Sequence, residues 1–565
     1  MNDQIKDLQQ KLLNASKKVL LAPKIVLSIP KNVLEMGIDV LEVSMDMLEH
    51  PGKVTEIPKH LFNLPSRVLE KLIKAYLIVN ADLHQPSFAN QKKILFDLIR
   101  KAKKTSFGEE YHFETIKTIK DFQKQIPIFH YKDFEPWILR MVKGELDVSY
   151  PGKIDRFATS SGTTGGTAKY IPITKENLKT SHFRGGIESL SLYIKNNPKS
   201  KFFQGKGLVI GGGFIKNPFT GEDNVGFISA ILQKESPWIG QTFKTPGPDI
   251  SYMEDREEKV KKTIALAETQ NVTSISGQPS WMSNFLYRVL EATGKKNILE
   301  VWPNLEFFFW GGMAIHLYKK QLEALIPSKT MKYYQIYNAS EGYFASQDTN
   351  DTDDMLLFTD HGVFYEFIPL QEYGKENPTV LTLDQVEVDK EYVILITNTS
   401  GLRRYILGDT IKFTTLNPWR IKITGRTKYY IDVVGECVTS DYSDRALVAA
   451  CNKTQVHATD YMVAPIMYEG GEVRGAYEWI IECDQVPENQ QEFATILDKE
   501  LCDVNSYYYD ERYDTKVLGE PTVHLVPKGT FYLWLKSKNK LGGQHKIPKL
   551  ANDRKNIDEV LKIIG

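Results

Sequence analysis

Apolar positions along this chain follow two periods, one helical and one extended. Between residues 31 and 50, Val33, Leu34, Ile38, Leu41, Met45 and Leu48 fall near helical spacing. Pro23, Pro30, Pro51, Pro58 and Pro65 punctuate the same region, and each resets a helix start. From about residue 76 the pattern becomes that of a globular body. Residues 91–104 read as an amphipathic helix whose basic end complements the C-terminal dipole. Residues 122–137 are aromatic-rich, with Pro127 and Pro136 marking turns. Apolar runs at 207–210, 272–276, 306–310, 333–337 and 392–397 read as buried strands, and 254–269 as a charged amphipathic helix. This alternation predicts an α/β body. Beyond about residue 437 a smaller α+β unit follows, with helices at 443–452 and 491–502 and strands at 461–468 and 477–483.

At 565 residues the chain exceeds one compact core, and two or three domains are expected. The pattern divides it into a helical extension (1–75), a large domain (76–428) and a small domain (429–565). Lys plus Arg and Asp plus Glu both number 71, so formal charge is zero and gives no electrostatic reason to expect a nucleic-acid partner. The four cysteines, Cys437, Cys451, Cys483 and Cys502, form no C-x-x-C pair and lack zinc spacing, which suits a reducing compartment. The start lacks the layout of a signal peptide, and no apolar run approaches the ~20 residues of a membrane span. A cytoplasmic enzyme is the expectation. The N-terminal helices could pack on the chain itself, contact a partner or a second copy, or lie on a membrane. Asp39, Glu42, Asp46 and Glu49 argue against an anionic lipid surface.

Chemistry concentrates in a few short stretches. Residues 157–172 contain Thr159, Ser160, Ser161, Gly162, Thr163, Thr164, Gly165, Gly166 and Thr167, closing on Lys169. Glycines let several backbone N–H groups converge, and hydroxyls add donors, so the natural occupant is a polyphosphate. The loop lacks the closing Gly-Lys-Ser/Thr of a Walker A, and a flexible polar loop is the alternative reading. Gly211-Gly212-Gly213 reads as a strand-end turn or as a close backbone approach to a ligand. Tyr337-Asn338-Ala339-Ser340-Glu341-Gly342 places one carboxylate on a polar turn after a strand. There it could contact Mg²⁺ beside a phosphate loop, or simply be solvated. Asp409, after Gly408 and between apolar strands, could accept from ribose hydroxyls, or mark an ordinary Gly-Asp hairpin. Lys546, on the glycine-led loop 542–550, could swing toward a phosphate or be one of many surface lysines.

The order of these pieces resembles the Gretchen Hagen family of acyl acid–amido synthetases, within the adenylate-forming superfamily. The resemblance rests on Ser160 to Gly166, Trp310-Gly311-Gly312-Met313-Ala314-Ile315, Tyr337 to Gly342, Leu407-Gly408-Asp409, Gly425-Arg426 and Gln544-His545-Lys546-Ile547-Pro548. It covers roughly residues 85–565. It implies a large adenylation domain of β-sheets flanked by helices, and a smaller mobile α+β C-terminal domain. The implied reaction uses ATP and Mg²⁺ to activate a small carboxylic acid as an acyl-adenylate. An amine, typically of an amino acid, then takes the acyl group. By this resemblance Ser160, Ser161, Gly162, Thr163 and Thr164 hold phosphates, Glu341 holds Mg²⁺, and Asp409 accepts from the ribose with Arg426 nearby. Tyr337 to Ser340 flank adenine and α-phosphate, Lys428 sits at the inter-domain hinge, and Lys546 meets the developing charge.

Two departures stand out: Arg404 precedes Tyr405 where the family often has an arginine after the tyrosine, and Thr167-Ala168 precede Lys169. Arg184, Trp281 and Phe344 are candidate liners of the acid pocket, with core packing the default for the two aromatics. An acyl-CoA-type synthetase with a thiol acceptor and a non-catalytic nucleotide-binding scaffold are the competing readings. The joint presence of Glu341, Asp409 and Lys546 weighs against a pure binder, and no G-x-S-x-G or H-E-x-x-H motif supports a hydrolase.

Overall fold

The computed structural model describes residues 66–564, apart from 84–85, 161–168, 237, 254, 313–314, 351, 428–429, 432, 434–435, 437, 469–472, 488 and 539–546. The helix expected at 31–50 lies outside the described residues. One helix, Ser66–Leu83, runs across the 75/76 boundary drawn from the sequence. Its Leu77 and Ala81 pack with Tyr193 and Leu192 of the helix Arg184–Asn196. This stretch therefore joins the globular body.

The helix expected from residue 91 spans Phe88–Ala102, with Ser87 capping it by accepting from Asn90 N–H. The aromatic stretch that follows makes two helices, Ile119–Gln125 and Tyr131–Val142. Pro127 separates them, but Pro136 sits inside the second helix and marks no turn. The burial of Phe134, Trp137, Ile138 and Met141 outweighs the loss of one backbone donor there.

Strands β1 (Arg156–Ser160) and β2 (Lys169–Ile173) form a hairpin, and β1 also pairs in parallel with β5 (Val225–Gly226), itself paired with β4 (Phe214–Ile215). The second sheet has 12 strands. Its parallel part runs β6 (Lys244–Thr245), β3 (Lys206–Val209), β7 (Val272–Gly277), β8 (Phe307–Trp310), β9 (Lys332–Ala339). From β9 onward it is antiparallel: β10 (Gly342–Ser346), β11 (Met355–Leu357), β16 (Trp419–Arg426), β15 (Tyr405–Leu416), β14 (Glu391–Asn398), β12 (Val363–Pro369), β13 (Leu381–Thr382). The buried runs Phe307–Phe308 and Val393–Ile396 are covered on both faces, as continuous apolar strands require.

The C-terminal unit opens on the short antiparallel pair β17 (Tyr430–Ile431) and β18 (Val438–Thr439) and carries the sheet β19 (Ala458–Met467), β20 (Gly475–Cys483), β21 (Thr522–Pro527), as the sequence pattern led one to expect for the first two strands of that sheet. Helices Ser440–Thr454 and Gln490–Val504 share one core with it, including Leu447, Trp479 and Leu497. Helices Thr530–Ser537 and Lys555–Ile564 form a second core with Met462 and Ile480. The architecture is mixed α/β with a smaller α+β unit at the end.

Candidate active site

Open α/β sheets bind ligands outside the carboxyl ends of their parallel strands, where the topology changes direction. Here that place is the end of β9, which is parallel to β8 on one side and antiparallel to β10 on the other. Ala339 and Gly342 are register partners, so Ser340 and Glu341 form the two-residue tip of a hairpin. The ends of β3, β7 and β8 run into Gly211, Gly277 and Gly311 on the same sheet edge. A Cβ on Gly311 would meet Ile336 O at 2.6 Å, so only glycine fits there.

The tip is clamped from behind. Asn398, fully buried at the end of β14, donates through Nδ2 to Glu341 O at 2.9 Å, and Asn177 donates to the same oxygen at 3.5 Å. His182 lies on a π-helical turn, Leu178–Phe183, with Nδ1 3.1 Å from Asn338 Oδ1. Burial pushes this imidazole down to about 4, so it stays neutral. With backbone and amides fixed, the Glu341 side chain points into a partly buried space. Burial, with the Asp409 charge adding to it, raises its carboxyl to about 7 against the opposing effects of its own backbone N–H, Lys169 and Arg426. It is not the freely solvated turn carboxylate of the alternative reading.

Asp409 sits within the long strand β15, whose partners are β14 and β16, and not at a hairpin tip. Gly408, at φ 89, bends the strand, and its carbonyl accepts from Thr427 N–H at 2.9 Å. Asp409 and Arg426 are register partners, and Arg426 Nε donates to Asp409 Oδ1 at 2.8 Å. Tyr337 OH donates to Oδ2 at 2.6 Å. Burial and the Asp409 charge hold the Tyr337 phenol well above its ordinary value, so it remains a donor. Tyr337, Asp409 and Arg426 thus form one linked group beside Glu341.

The hydroxyl-glycine loop connects β1 to β2. Ser160 and Lys169, register partners, bracket it, and Lys169 Nζ lies 4.7 Å from the centre of the Tyr131 ring. The charge of Lys169 opposes the upward shift of the Glu341 carboxyl, so the start of β2 lies within electrostatic reach of the β9–β10 tip. Ser161, Gly162, Thr163 and Thr164 lie outside the described residues, as do Lys428 and Lys546, and of Ser160 the backbone alone is described.

Other expectations resolve structurally. Arg404 turns away from the site: its Nε lies 3.2 Å from both Glu366 oxygens, and Nη1 donates to Gln123 O and Ile126 O. Arg184 pairs with Asp360, and Phe344 is core, 5.0 Å centroid to centroid from Tyr337. Trp281 lies on the helix Pro279–Thr293. The clamp residues Asn177, His182 and Asn398 carry no signal in the sequence, since they stand on separate elements with no shared spacing.

This fold, a mixed sheet followed by a small α+β unit, is shared with solved structures. GH3.15 acyl acid amido synthetase superposes with a TM-score of 0.70 at 16% identity, covering 86% of this chain and 96% of that one. The 2-hydroxyisobutyryl-CoA ligase, in a postadenylation state with 2-HIB-AMP, gives 0.53 at 14% identity, covering 89% and 93%. The chain belongs to the GH3 family: residues 84–331 match the GH3 family N-terminal domain, 356–426 the central domain and 443–555 the C-terminal domain. It is 22% identical to the indole-3-acetic acid-amido synthetase GH3.3 of Arabidopsis thaliana, over 82% of this chain and 89% of the relative. With the jasmonoyl–L-amino acid synthetase GH3.5 of Oryza sativa subsp. japonica the identity is 24%, over 79% and 88%.

Proposed function

We propose that this protein is an acyl acid amido synthetase that uses ATP to join a small carboxylic acid to an amine, in the first instance that of an amino acid. The observation that carries this reading is the hydrogen bond from Tyr337 OH to Asp409, which joins the Asp409–Arg426 pair of β15–β16 to the strand that ends in the Glu341 hairpin tip. Family membership and the named activities of the relatives support it.

In the first half-reaction a carboxylate oxygen of the acid attacks the α-phosphorus of ATP, and the bond to the bridging oxygen breaks, releasing pyrophosphate. In the second, the neutral amine attacks the acyl carbonyl and AMP departs. In-line displacement needs positioning and charge neutralisation more than a covalent catalyst. In this reading the loop from Ser160 to Thr164 holds phosphates, Asp409 accepts from ribose hydroxyls, and Arg426 and Tyr337 fix the Asp409 carboxylate. Tyr337 to Ser340 flank the base, Lys428 belongs to the hinge, and Lys546 brings positive charge to the departing oxygens.

Glu341 suits Mg²⁺. It is a hard oxygen donor at the two-residue tip between β9 and β10, where the sheet changes direction. No cluster of three ligating side chains occurs among the described residues. A single carboxylate is what a Mg²⁺ shared with phosphate oxygens and water takes. When bound, the metal supplies charge neutralisation to the phosphates.

Among the described residues no helix is long and apolar enough to cross a membrane. Cys451, Cys483 and Cys502 are unbridged thiols, which suits a cytoplasmic setting.

The test is pyrophosphate release from Mg-ATP across a panel of carboxylic acids with hydroxylamine present. Acid-dependent release with hydroxamate formation is expected. Substituting amino acids or coenzyme A for hydroxylamine then reads the acceptor: amide product supports the proposal, and thioester alone would replace it with an acyl-CoA synthetase. Acid-independent behaviour across the panel, with ATP binding intact, would favour a scaffold.

A further inference from the structure

Behind the Glu341 tip lies a buried cation. Arg403 is 1% exposed, and among the described residues no carboxylate accepts from its guanidinium. Three backbone carbonyls take that place: Nη1 donates to Asn398 O at 2.7 Å and to Leu402 O at 3.0 Å, and Nη2 to Ser149 O at 2.9 Å. Nε is buried with no hydrogen-bond partner among the described residues. Burial lowers the group to about 10, with the charges of Tyr150 and Glu176 opposing, so it stays protonated at neutral pH. Withdrawing a charge from water is costly unless it is paired, so a chain that only needed to fill this volume would use an apolar side chain.

The guanidinium holds the turn between β14 and β15. That turn closes on its own bonds: Asn398 N–H donates to Leu402 O at 3.0 Å, and Gly401, at φ 92, donates to Asn398 O at 3.3 Å. Asn398 Oδ1 accepts from Ser400 N–H at 3.0 Å and from Leu402 N–H at 3.2 Å. With Oδ1 committed to two donors, the amide turns Nδ2 toward Glu341 O, 2.9 Å away. Arg403 adds what closure does not supply. It fixes where the closed turn sits, by tying Asn398 O to Ser149 in the segment that leads into β1. A Cβ on Gly401 would stand 2.5 Å from Ser149 Oγ, so the two segments are pressed together.

From Ser149 through Arg403 and Asn398 to the Glu341 carbonyl, the links are hydrogen bonds of 2.9, 2.7 and 2.9 Å. Groups that orient a metal's ligand change its affinity without touching the metal. We propose that Arg403 is a positioning residue that acts through Asn398 to set where the Glu341 carboxylate meets Mg²⁺. The inference rests on the metal role given to Glu341 above.

The test is ATP binding to the full-length chain by calorimetry as Mg²⁺ is varied, well below each variant's melting temperature. R403M leaves no unpaired charge behind. It is expected to raise the Mg²⁺ concentration for half-maximal ATP binding by about 10–100-fold, the cost of losing a group that orients a metal ligand. ATP affinity in EDTA should stay at the wild-type value, which a general loosening of the fold would not allow. R403K keeps the charge, but one ammonium cannot span the three carbonyls, so a smaller shift in the same direction is expected. N398A removes the donor to Glu341 O directly and should reproduce the R403M shift. The decisive measurement is R403M in the E341A background, where a residue that acts through Glu341 adds no further shift. A further shift there, or wild-type Mg²⁺ dependence in R403M beside a raised requirement in E341A, overturns the positioning role alone. Wild-type Mg²⁺ dependence in E341A overturns the metal role of Glu341 and the inference with it.

Discussion

Replacing Glu188 by Gln should make the protein more stable at alkaline pH and leave it nearly unchanged in acid. Glu188 is 3% exposed on the helix Arg184–Asn196. Its Oε2 accepts from Asn80 Nδ2 at 3.0 Å, while Oε1 has no hydrogen-bond partner among the described residues. Burial, then the charge of Asp360, raise its carboxyl from 4.5 to about 8, against the opposing effects of Arg184, Asn80 and Lys195. A group whose folded value is raised contributes stability that is present below its unfolded value and lost as pH climbs through the folded one. At about 1.4 kcal/mol per pH unit, ionising Glu188 costs the fold up to roughly 5 kcal/mol between pH 4.5 and 8. Gln cannot ionise and still offers an acceptor to Asn80. The gap between E188Q and wild type should therefore widen from near zero at pH 4.5 to several kcal/mol at pH 8.5. Multi-domain unfolding is not two-state, so the readout is native-state hydrogen exchange in the helices Ser66–Leu83 and Arg184–Asn196, compared at the two pH values. A gap that does not change with pH, or an E188Q that is the less protected at pH 8.5, would refute the reasoning.

Four further outcomes follow from the site and its surroundings. K546A should keep ATP binding by calorimetry but lose adenylation by about 10²–10³-fold, the scale of one transition-state charge contact; near-normal pyrophosphate release would remove the role. E341A should raise the Mg²⁺ concentration needed for half-maximal nucleotide binding and for adenylation, and an unchanged metal dependence would take it out of the metal site. Y337F deletes the 2.6 Å donor to buried Asp409 while keeping the ring, and should cost about 1.5–3 kcal/mol of stability and weaken nucleotide binding; equal affinity and equal stability would show that Arg426 alone suffices. R404M leaves Glu366, 1% exposed, without its ion-pair partner, so destabilisation of about 3–5 kcal/mol is expected. The fraction that folds should adenylate at the wild-type rate, because Arg404 faces away from the site.

What could be read from the sequence was what local pattern encodes. The apolar runs that became β8, β9 and β14, and the helix Gln490–Val504, stood out because each satisfies its period within its own residues. Pro136 reads as a turn in the sequence because proline's local cost is visible there and the burial of Phe134, Trp137 and Met141 around it is not. Asp409 was ambiguous for the same reason. Gly-Asp looks alike at a hairpin tip and inside a strand, and only pairing with β14 and β16, set by distant residues, decides between them. Ser340-Glu341 lacks the Asn-Gly chemistry that advertises a two-residue hairpin, so the turn was visible but its tightness was not. The clamp on Glu341 was invisible altogether, since Asn177 and Asn398 meet its carbonyl from 164 and 57 residues away.

The sheet itself explains why the candidate site and the domain junction adjoin. Parallel strands leave their ligand-binding ends on one edge, and β9 is the last of them. Beyond it the sheet turns antiparallel, and three antiparallel steps make β16 run opposite to β9; Arg426 meets Asp409 across the β15–β16 ladder, and the Tyr337 hydroxyl of β9 reaches the same carboxylate. The next residue, Thr427, is already bonded back to Gly408, and the chain departs from there toward the helix Ser440–Thr454. The carboxylate assigned to the ribose is therefore fixed by the final residue of the large sheet before the chain enters the small domain. On the function proposed above, a pivot at that point would move the small domain while displacing Arg426 and Asp409 little, because their backbones are register partners in the ladder. Under the proposed function, such a site would hold its nucleotide while the small domain moves, as two successive half-reactions on one nucleotide require.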